Sequence, residues 1–388
     1  MNILDFGAKR GEFCGDAIQR AIDAAAVQGG GRVVVPAGEY ETASLVLRSN
    51  DELHLEAGAV LRFTDDFDAY PVVNIRWEGY EQPCRRPLIY AKNEVNVALT
   101  GFGTLEGQGK KWWTAFRAKT LDAARPCAVC FEDCTRVRMS DFMVHNSPNW
   151  TIHPVRCENV TIDNLTIVNP FDSPNTDGID PESCRNVRIT GCHIDVGDDC
   201  IAVKAGTEDA LEDVPCENIA ITGCTMVHGH GGVVLGSEMS GGIRRVSITG
   251  CVFDGTDRGI RIKSRRGRGG AVEDVSVTGI VMNDVLCPLV INLMYFCGKD
   301  GKLPIVSDPN AQPVTDATPH VRRIRMADIV VTNAKSAAAC LYGLPEAPLE
   351  DISIVNTQIH LVEDTPSFPV MNAVQQPVTL AGLTAEHV

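Results

Sequence analysis

The amino-acid sequence predicts an all-β protein of one domain, built as a parallel β-helix, and two observations carry this prediction. A short phrase of alternating apolar and polar residues recurs along most of the 388-residue chain. From Val137 onward, the first apolar residues of successive copies lie 23, 27, 32, 27, 29, 49 and 28 residues apart. Strand-like phrases at this spacing, without helical periodicity between them, are typical of a solenoid of stacked parallel strands.

The copies of the phrase share β-branched residues at alternate positions and Gly, Asn, Asp or Pro at both ends, as half-buried strands do. They begin at Asn96, Arg136, Asn159, Asn186, Asn218, Arg245, Asp274, Arg323 and Asp351. Leucine is too sparse for a leucine-rich repeat, and the interval is too short for the roughly 40 residues of a propeller blade. A parallel β-helix therefore fits best.

Both an end cap and an insertion can be placed on this repeat. Residues 16–26 carry apolar residues at helical spacing, so we expect a short amphipathic helix that covers the exposed edge of the first coil, within a cap of about residues 1–40. The 49-residue step contains a stretch rich in Pro, Asp and Asn, which predicts an inserted loop at about residues 298–320. No segment has the composition of a linker, so the domain is predicted to span residues 1–388.

Composition excludes several classes of function. Lys+Arg 35 against Asp+Glu 50 gives a net charge of −15, which argues against binding to nucleic acid or an anionic membrane. No apolar run is long enough for a transmembrane helix. The first five residues have neither a basic start nor an apolar stretch, so we expect no signal peptide and a cytoplasmic protein, unless a leader has been removed.

The 15 cysteines are predicted to be reduced and buried, because an odd number in a chain of this length is not a secreted disulfide framework. Seven of them are in register with the repeat. Cys134, Cys157, Cys184 and Cys216 lie three residues before the first apolar residue of a copy, and Cys192, Cys224 and Cys251 follow a closing Thr-Gly or its counterpart. We expect these to form ladders inside the coils.

Four groups of chemically active residues fall on consecutive repeats. They are Asn175-Thr176-Asp177, Asp198-Asp199, Gly229-His230-Gly231 and Arg261-Ile262-Lys263. Asp177 to Asp199 is 22 residues, and the steps from Asp199 to His230 and from His230 to Arg261 are 31 residues each. Since each step is close to one coil, we expect these side chains to share one face, within reach of one ligand.

The residue types in this constellation predict acid–base chemistry on an anionic ligand. Crowded carboxylates cannot all ionise comfortably, so at least one pKa should rise, as a general acid requires. Both Asp198 and Asp199 can serve only if the chain bends, which Gly197 would allow. The glycines around His230 leave the backbone open to a ligand. Cations suited to an anionic ligand lie close by, at Arg258, Arg261, Lys263, Arg265, Arg266 and Arg268.

In order and spacing, the four groups resemble glycoside hydrolase family 28, the polygalacturonase family. Further segments that look like this family are Asn146-Ser147-Pro148, Trp150-Thr151-Ile152-His153, Asp5-Phe6-Gly7-Ala8 and Pro36-Ala37-Gly38-Glu39-Tyr40. The resemblance implies a right-handed β-helix and hydrolysis of α-1,4 links between galacturonates, with inversion at the anomeric carbon. It implies no cofactor and no metal, and a partner that is an oligogalacturonate or another pectin-derived substrate.

The resemblance also assigns roles to single residues. Asp198 matches the general acid, and Asp177 and Asp199 match the pair that activates water, with acid and base about 6.5–9.5 Å apart in an inverting enzyme. His230 matches a histidine that supports the protonation state of the acid. The residues that match the family's substrate-binding positions are Asn175, Arg261, Lys263 and Tyr295, of which the tyrosine would stack on a sugar ring.

One further segment looks like bacterial exo-acting members of the family. Residues 75–80, followed by Arg85 and Arg86, are predicted to close the cleft on one side and to supply cations for a terminal uronate. Three alternatives stay open. A pectate lyase would release unsaturated, ultraviolet-absorbing products with Ca²⁺, a non-catalytic binding solenoid would bind oligogalacturonate without turnover, and a rhamnogalacturonan hydrolase of the same family would prefer that polymer.

Overall fold

The structure is a computed structural model and describes residues 1–362 and 383–386. It contains two compact units, one formed by Met1–Trp77 with Glu81–Asp198 and the other by Glu78–Tyr80 with Asp199–Val388. The organisation as one domain stays a prediction. Within the described ranges no helix combines the length and apolar character needed to span a membrane.

Three ladders of parallel strands build the first unit. Ladder A consists of Gly31–Val35, Asp51–Leu55, Val95–Gly101, Thr135–Ser140, Glu158–Asp163 and Arg185–Thr190. Ladder B consists of Gly38–Thr42, Ala59–Phe63, Thr104–Glu106, Met143–His145, Thr166–Val168 and His193–Val196. Ladder C consists of Leu45–Val46, Ile89–Lys92, Val129–Glu132 and Ile152–Val155. A two-stranded hairpin is added by Val72–Trp77 and Tyr80–Arg85.

Three corresponding ladders build the second unit. Ladder D consists of Cys216–Thr222, Ile243–Thr249, Ala271–Asn283, His320–Ala334 and Glu350–Val355. Ladder E consists of Thr225–His228, Val252–Asp254, the later parts of the two long strands of ladder D, and Gln358–Leu361. Ladder F consists of Ile201–Val203, Val233–Gly236, Arg258–Lys263, Cys287–Asn292, Ala339–Tyr342 and Leu383–Glu386.

The predicted capping helix is present as α1, Gly15–Val27, which buries its apolar face. The Gln19 side chain of this helix hydrogen-bonds to the edge strand as a neighbouring strand would. Its amide donates to the Val46 carbonyl at 3.0 Å, and its oxygen accepts from the Val46 amide at 2.9 Å. These bonds satisfy backbone groups of an edge strand that would otherwise be open to pairing. The other described helices are α2, Lys110–Ala118, and the 3₁₀ turns Ile3–Phe6, Phe67–Ala69 and Pro304–Ser307.

The strand registers match the repeat that the sequence predicts. Val137 lies opposite Val160, and Val160 lies opposite Val187. In the second unit Val246 is flanked by the corresponding residues of the neighbouring coils, and the 49-residue step is an insertion, because no strand of ladder D lies between Asn283 and His320. All 15 cysteines fall within the described residues as free thiols, and all except Cys297 are buried.

The residue that begins each copy of the phrase has a left-handed backbone conformation. Its φ is 60° at Arg136, 59° at Asn159 and 59° at Asn186, and it is skipped in the pairing of ladder A. Asparagine tolerates this conformation better than other residues with a side chain. The asparagines also stack, since the Asn186 amide donates to the Asn159 oxygen at 3.2 Å. This geometry explains why asparagine recurs at the start of the phrase.

Arg136 is therefore strained, and Arg136→Asn should stabilise the protein. We expect the free energy of unfolding to rise by about 1 kcal/mol, because asparagine pays less for a positive φ. Equilibrium unfolding in urea measures the change. The matched control is Arg138→Asn, two residues along the same exposed strand face, where the backbone is extended and no gain is expected. An equal change in both variants would show that the conformation at Arg136 carries no strain.

Candidate active site

In the first unit, Asp177 and Asp198 each follow a strand of ladder B. Asp198 follows the strand His193–Val196, and Asp177 lies just before Ile179, which bridges to Ile152 of ladder C. Asp177 is buried, and its carbonyl accepts the Thr151 amide at 2.8 Å. The two aspartates are thus brought together from neighbouring coils although 20 residues separate them in the chain.

The chain bends immediately before Asp198, as predicted at Gly197. A Cβ at Gly197 would lie 2.5 Å from the Ser173 carbonyl oxygen and 2.7 Å from that of Pro170, so only glycine fits beneath this loop. One carboxylate oxygen of Asp198 lies within 4.8 Å of one of Asp177. This distance is shorter than the expected acid–base separation, because side chains on neighbouring coils are held at about the spacing of the strands, roughly 4.8 Å.

In the second unit, Asp199 is a buried anion held by two cations. The Lys263 ammonium donates to its Oδ2 at 2.7 Å, and the Arg261 guanidinium lies 3.6 Å from its Oδ1. Burial alone would raise the pKa of the Asp199 carboxyl, but the charges of Lys263, Arg261 and Lys204 outweigh it and hold the pKa well below its usual range. The two cations therefore favour the ionised form of Asp199, which suits a base.

Tyr295 lies beside the same cations. Its half-buried ring has the Arg261 guanidinium carbon 5.2 Å and the Lys263 nitrogen 5.4 Å from its centroid. Its backbone amide donates to the Ser264 carbonyl at 3.0 Å, which ties it to the end of the strand Arg258–Lys263. The structure thus brings together four of the predicted residues in this unit: an ionised carboxylate, two cations and an aromatic ring.

Comparison with protein families gives the chain its relatives. The model of the family described as glycosyl hydrolases family 28 matches residues 32–365. The chain belongs to glycosyl hydrolases family 28. A probable polygalacturonase of Vitis vinifera is 36% identical over 351 residues, which cover 88% of this chain and 69% of that protein. Polygalacturonase QRT2 of Arabidopsis thaliana is 29% identical over 75% of this chain and 64% of its own length.

Solved structures support the same family and confirm the predicted fold. An exopolygalacturonase from Thermotoga maritima superposes with a TM-score of 0.83 at 33% identity, covering 92% of this chain and 86% of that one. A polygalacturonase from Erwinia carotovora, at 23% identity and a TM-score of 0.76, shows the fold alone. This family 28 glycoside hydrolase is therefore a right-handed parallel β-helix, the hand that parallel crossovers take almost without exception.

Gly231, which follows His230, is closely packed in this family 28 enzyme. His230 is exposed, between the strands Thr225–His228 and Val233–Gly236. A Cβ at Gly231 would lie 2.4 Å from the Val234 side chain and 3.3 Å from Oδ1 of Asp199. The space next to Gly231 is therefore filled by the protein itself, whereas the sequence suggested that it admits a ligand.

Arg265, Arg266 and Arg268 are three of the six cations predicted to suit an anionic ligand, and they instead bind carboxylates of the protein. Arg265 and Arg268 both bind Glu208, and Arg266 binds Glu346 through two bonds of 2.6 and 2.9 Å. Arg266 also donates to three carbonyls of the inserted loop, those of residues 305, 308 and 310. Arg261 and Lys263, by contrast, approach Asp199. The expectation that the patch as a whole holds an anionic ligand was wrong, because carboxylates distant in sequence neutralise it.

The sequence reasoning missed Lys204. This buried lysine follows the first strand of ladder F and lies 3.5 Å from Glu238, and its charge acts on Asp199. The pairing register of ladder F shows that Lys204 and Lys263 occupy equivalent positions. Val203 pairs with Leu235, and the next residue along, Gly236, pairs with Lys263, so Lys204 occupies the position of Lys263 two coils earlier.

The hairpin covers the outer face of ladder C. Ile75, Trp77 and Cys84 pack against a buried cluster on that ladder and its approaches, which contains Tyr90, Cys127, Cys130, Trp150 and Val155. Two arginines of the hairpin, Arg76 and Arg85, form ion pairs with carboxylates of the protein. Arg76 is 1% exposed and pairs with Glu81 at 2.9 Å, and Arg85 binds Asp122 through two bonds of 2.8 and 2.9 Å. The contacts of Arg85 therefore do not support the prediction that it holds a terminal uronate, and the same prediction for Arg86, which donates to the Ser44 hydroxyl at 2.8 Å, stays a prediction.

Proposed function

We propose that this family 28 enzyme hydrolyses α-1,4-galacturonosyl linkages in oligogalacturonates, with inversion and from one end of the chain. The observation that carries the proposal is the arrangement in ladder F, where Arg261 and Lys263 hold the ionised Asp199 beside the ring of Tyr295. A buried carboxylate next to two cations and an aromatic ring suits an acidic sugar, since cations bind its carboxylate and the ring packs on its apolar face.

The roles of the three aspartates follow from their environments and from the family. Asp198 is half-buried and is the proton donor to the leaving oxygen. Asp199 is kept ionised by Lys263 and Arg261, so it accepts a proton from the attacking water, together with Asp177. His230 supports the protonated state of the acid. Asn175 and the two cations orient the substrate, and no metal or cofactor takes part.

Action from one end is supported by the hairpin. Residues 72–77 and 81–85 form a cover over ladder C, packed through Trp77 and anchored by Arg76, whose guanidinium donates to the Ser183 hydroxyl at 3.3 Å and lies 3.9 Å from Glu182. A cover of this kind limits how many sugars fit on one side of the cleaved bond. The Thermotoga maritima relative, at 33% identity, is an exopolygalacturonase.

We further propose that the enzyme works in the cytoplasm on imported fragments. Fractionation of cells tests this proposal, and recovery of the protein outside the cells would refute it.

Replacement of the proposed acid tests the hydrolase. Wild-type protein should hydrolyse galacturonan and leave rhamnogalacturonan intact, and Asp198→Asn should lower kcat by about 10²–10⁴-fold, the usual contribution of general acid catalysis. Reducing-end release measures turnover. The matched control is Asp163→Asn, at the end of a ladder A strand, which should keep wild-type kcat.

Two results would contradict this assignment. Retention of more than about a tenth of kcat by Asp198→Asn would remove the acid role. Unsaturated, ultraviolet-absorbing products that require Ca²⁺ would instead identify a lyase.

Product analysis tests action from one end. With a hexagalacturonate labelled at its reducing end, the earliest products should be monomer or dimer together with a single shortened labelled chain. The physical reason is that the hairpin over ladder C admits only the end of a substrate. Chromatography at low conversion measures the distribution. An early ladder of intermediate lengths, with a rapid fall in the viscosity of polygalacturonate, would show an open cleft.

A further inference from the structure

Arg125 is buried beneath the loop that carries the Asn175-Thr176-Asp177 motif. It lies just before the ladder C strand Val129–Glu132 and is 2% exposed. One terminal nitrogen donates to the carbonyls of Pro148 and Pro174 at 2.9 and 2.7 Å, and the other donates to the Asn175 side-chain oxygen at 2.8 Å. A single guanidinium thus joins two turns of neighbouring coils.

Helix α2 fixes the plane of this guanidinium. The ring of Phe116 lies over the Arg125 guanidinium carbon at 3.9 Å from the ring centroid. The helix itself is anchored, since the Trp113 indole donates to the Ser147 carbonyl at 3.0 Å and Arg117 donates to the Asp172 carbonyl. A stacked, forked guanidinium presents its donors in one orientation, whereas a flexible ammonium does not.

Asn175, whose side chain Arg125 binds, has a constrained backbone. Asn175 has a φ of 53°, in the left-handed region, and it lies two residues before Asp177. The next residue, Thr176, is fully buried and its hydroxyl donates to the Ser173 carbonyl at 3.2 Å. Because the loop is short and turns sharply, the position of Asn175 sets the position of the Asp177 carboxylate.

We propose that Arg125 is a positioning residue of the reaction, which acts through Asn175 and holds the Asn175-Thr176-Asp177 loop in its reactive geometry. This inference deepens the proposed function and rests on it. The expected signature is a loss in kcat larger than any change in KM, because a displacement of about 1 Å at a reacting group costs about 100-fold in rate. Arg125→Lys keeps the charge and loses the fork, so it should fall between wild type and Arg125→Gln.

A double-mutant cycle tests the route of action. Arg125→Gln, Asn175→Ala and the double variant are assayed for kcat and KM on oligogalacturonate. If Arg125 acts through Asn175, the double variant should be about as active as the worse single variant. If the fold-losses in kcat of the two single variants multiply in the double variant, the two residues act independently, and this result would overturn the inference. The control is Arg32→Gln, an arginine of the same unit bound to Glu52, which should leave kcat within about twofold.

A second readout does not depend on catalysis. Hydrogen exchange of the amides of residues 171–173 and 175–178 should be faster in Arg125→Gln than in wild type, and unchanged in Arg32→Gln. Unchanged exchange in Arg125→Gln would refute the positioning role even if the enzyme acts on another substrate. Failure of the proposed function would show separately, as an absence of galacturonan hydrolysis by the wild-type protein.

Discussion

In-register stacking of parallel coils is the constraint on which the functional residues depend. Neighbouring strands lie about 4.8 Å apart, and registers such as Val137 opposite Val160 keep each unit in phase although its coils differ in length. Variation in length is absorbed by loops, so a residue on a turn keeps its place. Asp177 and Asp198 meet in the first unit for this reason, and in the second unit the same stacking sets Asp199 beside Lys263 of a later coil.

Charge pairing in buried positions decides which cations are left for a substrate. Arg266 and Arg85 are fully engaged with carboxylates and carbonyls, and they hold the inserted loop and the hairpin in place. Arg261 and Lys263 instead face a carboxylate that belongs to the chemistry. Breaking a buried pair of this kind is costly, since it leaves one charge uncompensated. The same contacts that stabilise ladder F therefore also fix the protonation state of Asp199.

The sequence predicted what periodicity can show. It placed the strands, the helix α1 and the close approach of Asp177 to Asp198, because these follow from spacing alone. It could not say which carboxylate neutralises which arginine, since partners such as Arg266 and Glu346 are 80 residues apart and lie on loops outside the repeat. Arg125 was missed for a similar reason: nothing in its local sequence shows that it binds Asn175 from 50 residues away.

The stereochemistry of hydrolysis tests the account most directly. The nearest oxygens of Asp177 and Asp198 lie within 4.8 Å, a separation closer to that of retaining enzymes. If Asp199 and Asp177 activate a water, neither of them forms a bond to the sugar. Proton NMR of the first-formed product from an α-1,4-linked oligogalacturonate decides between these routes. We predict that the β-anomer appears first and then mutarotates, whereas initial appearance of the α-anomer would contradict the roles proposed for Asp177 and Asp199.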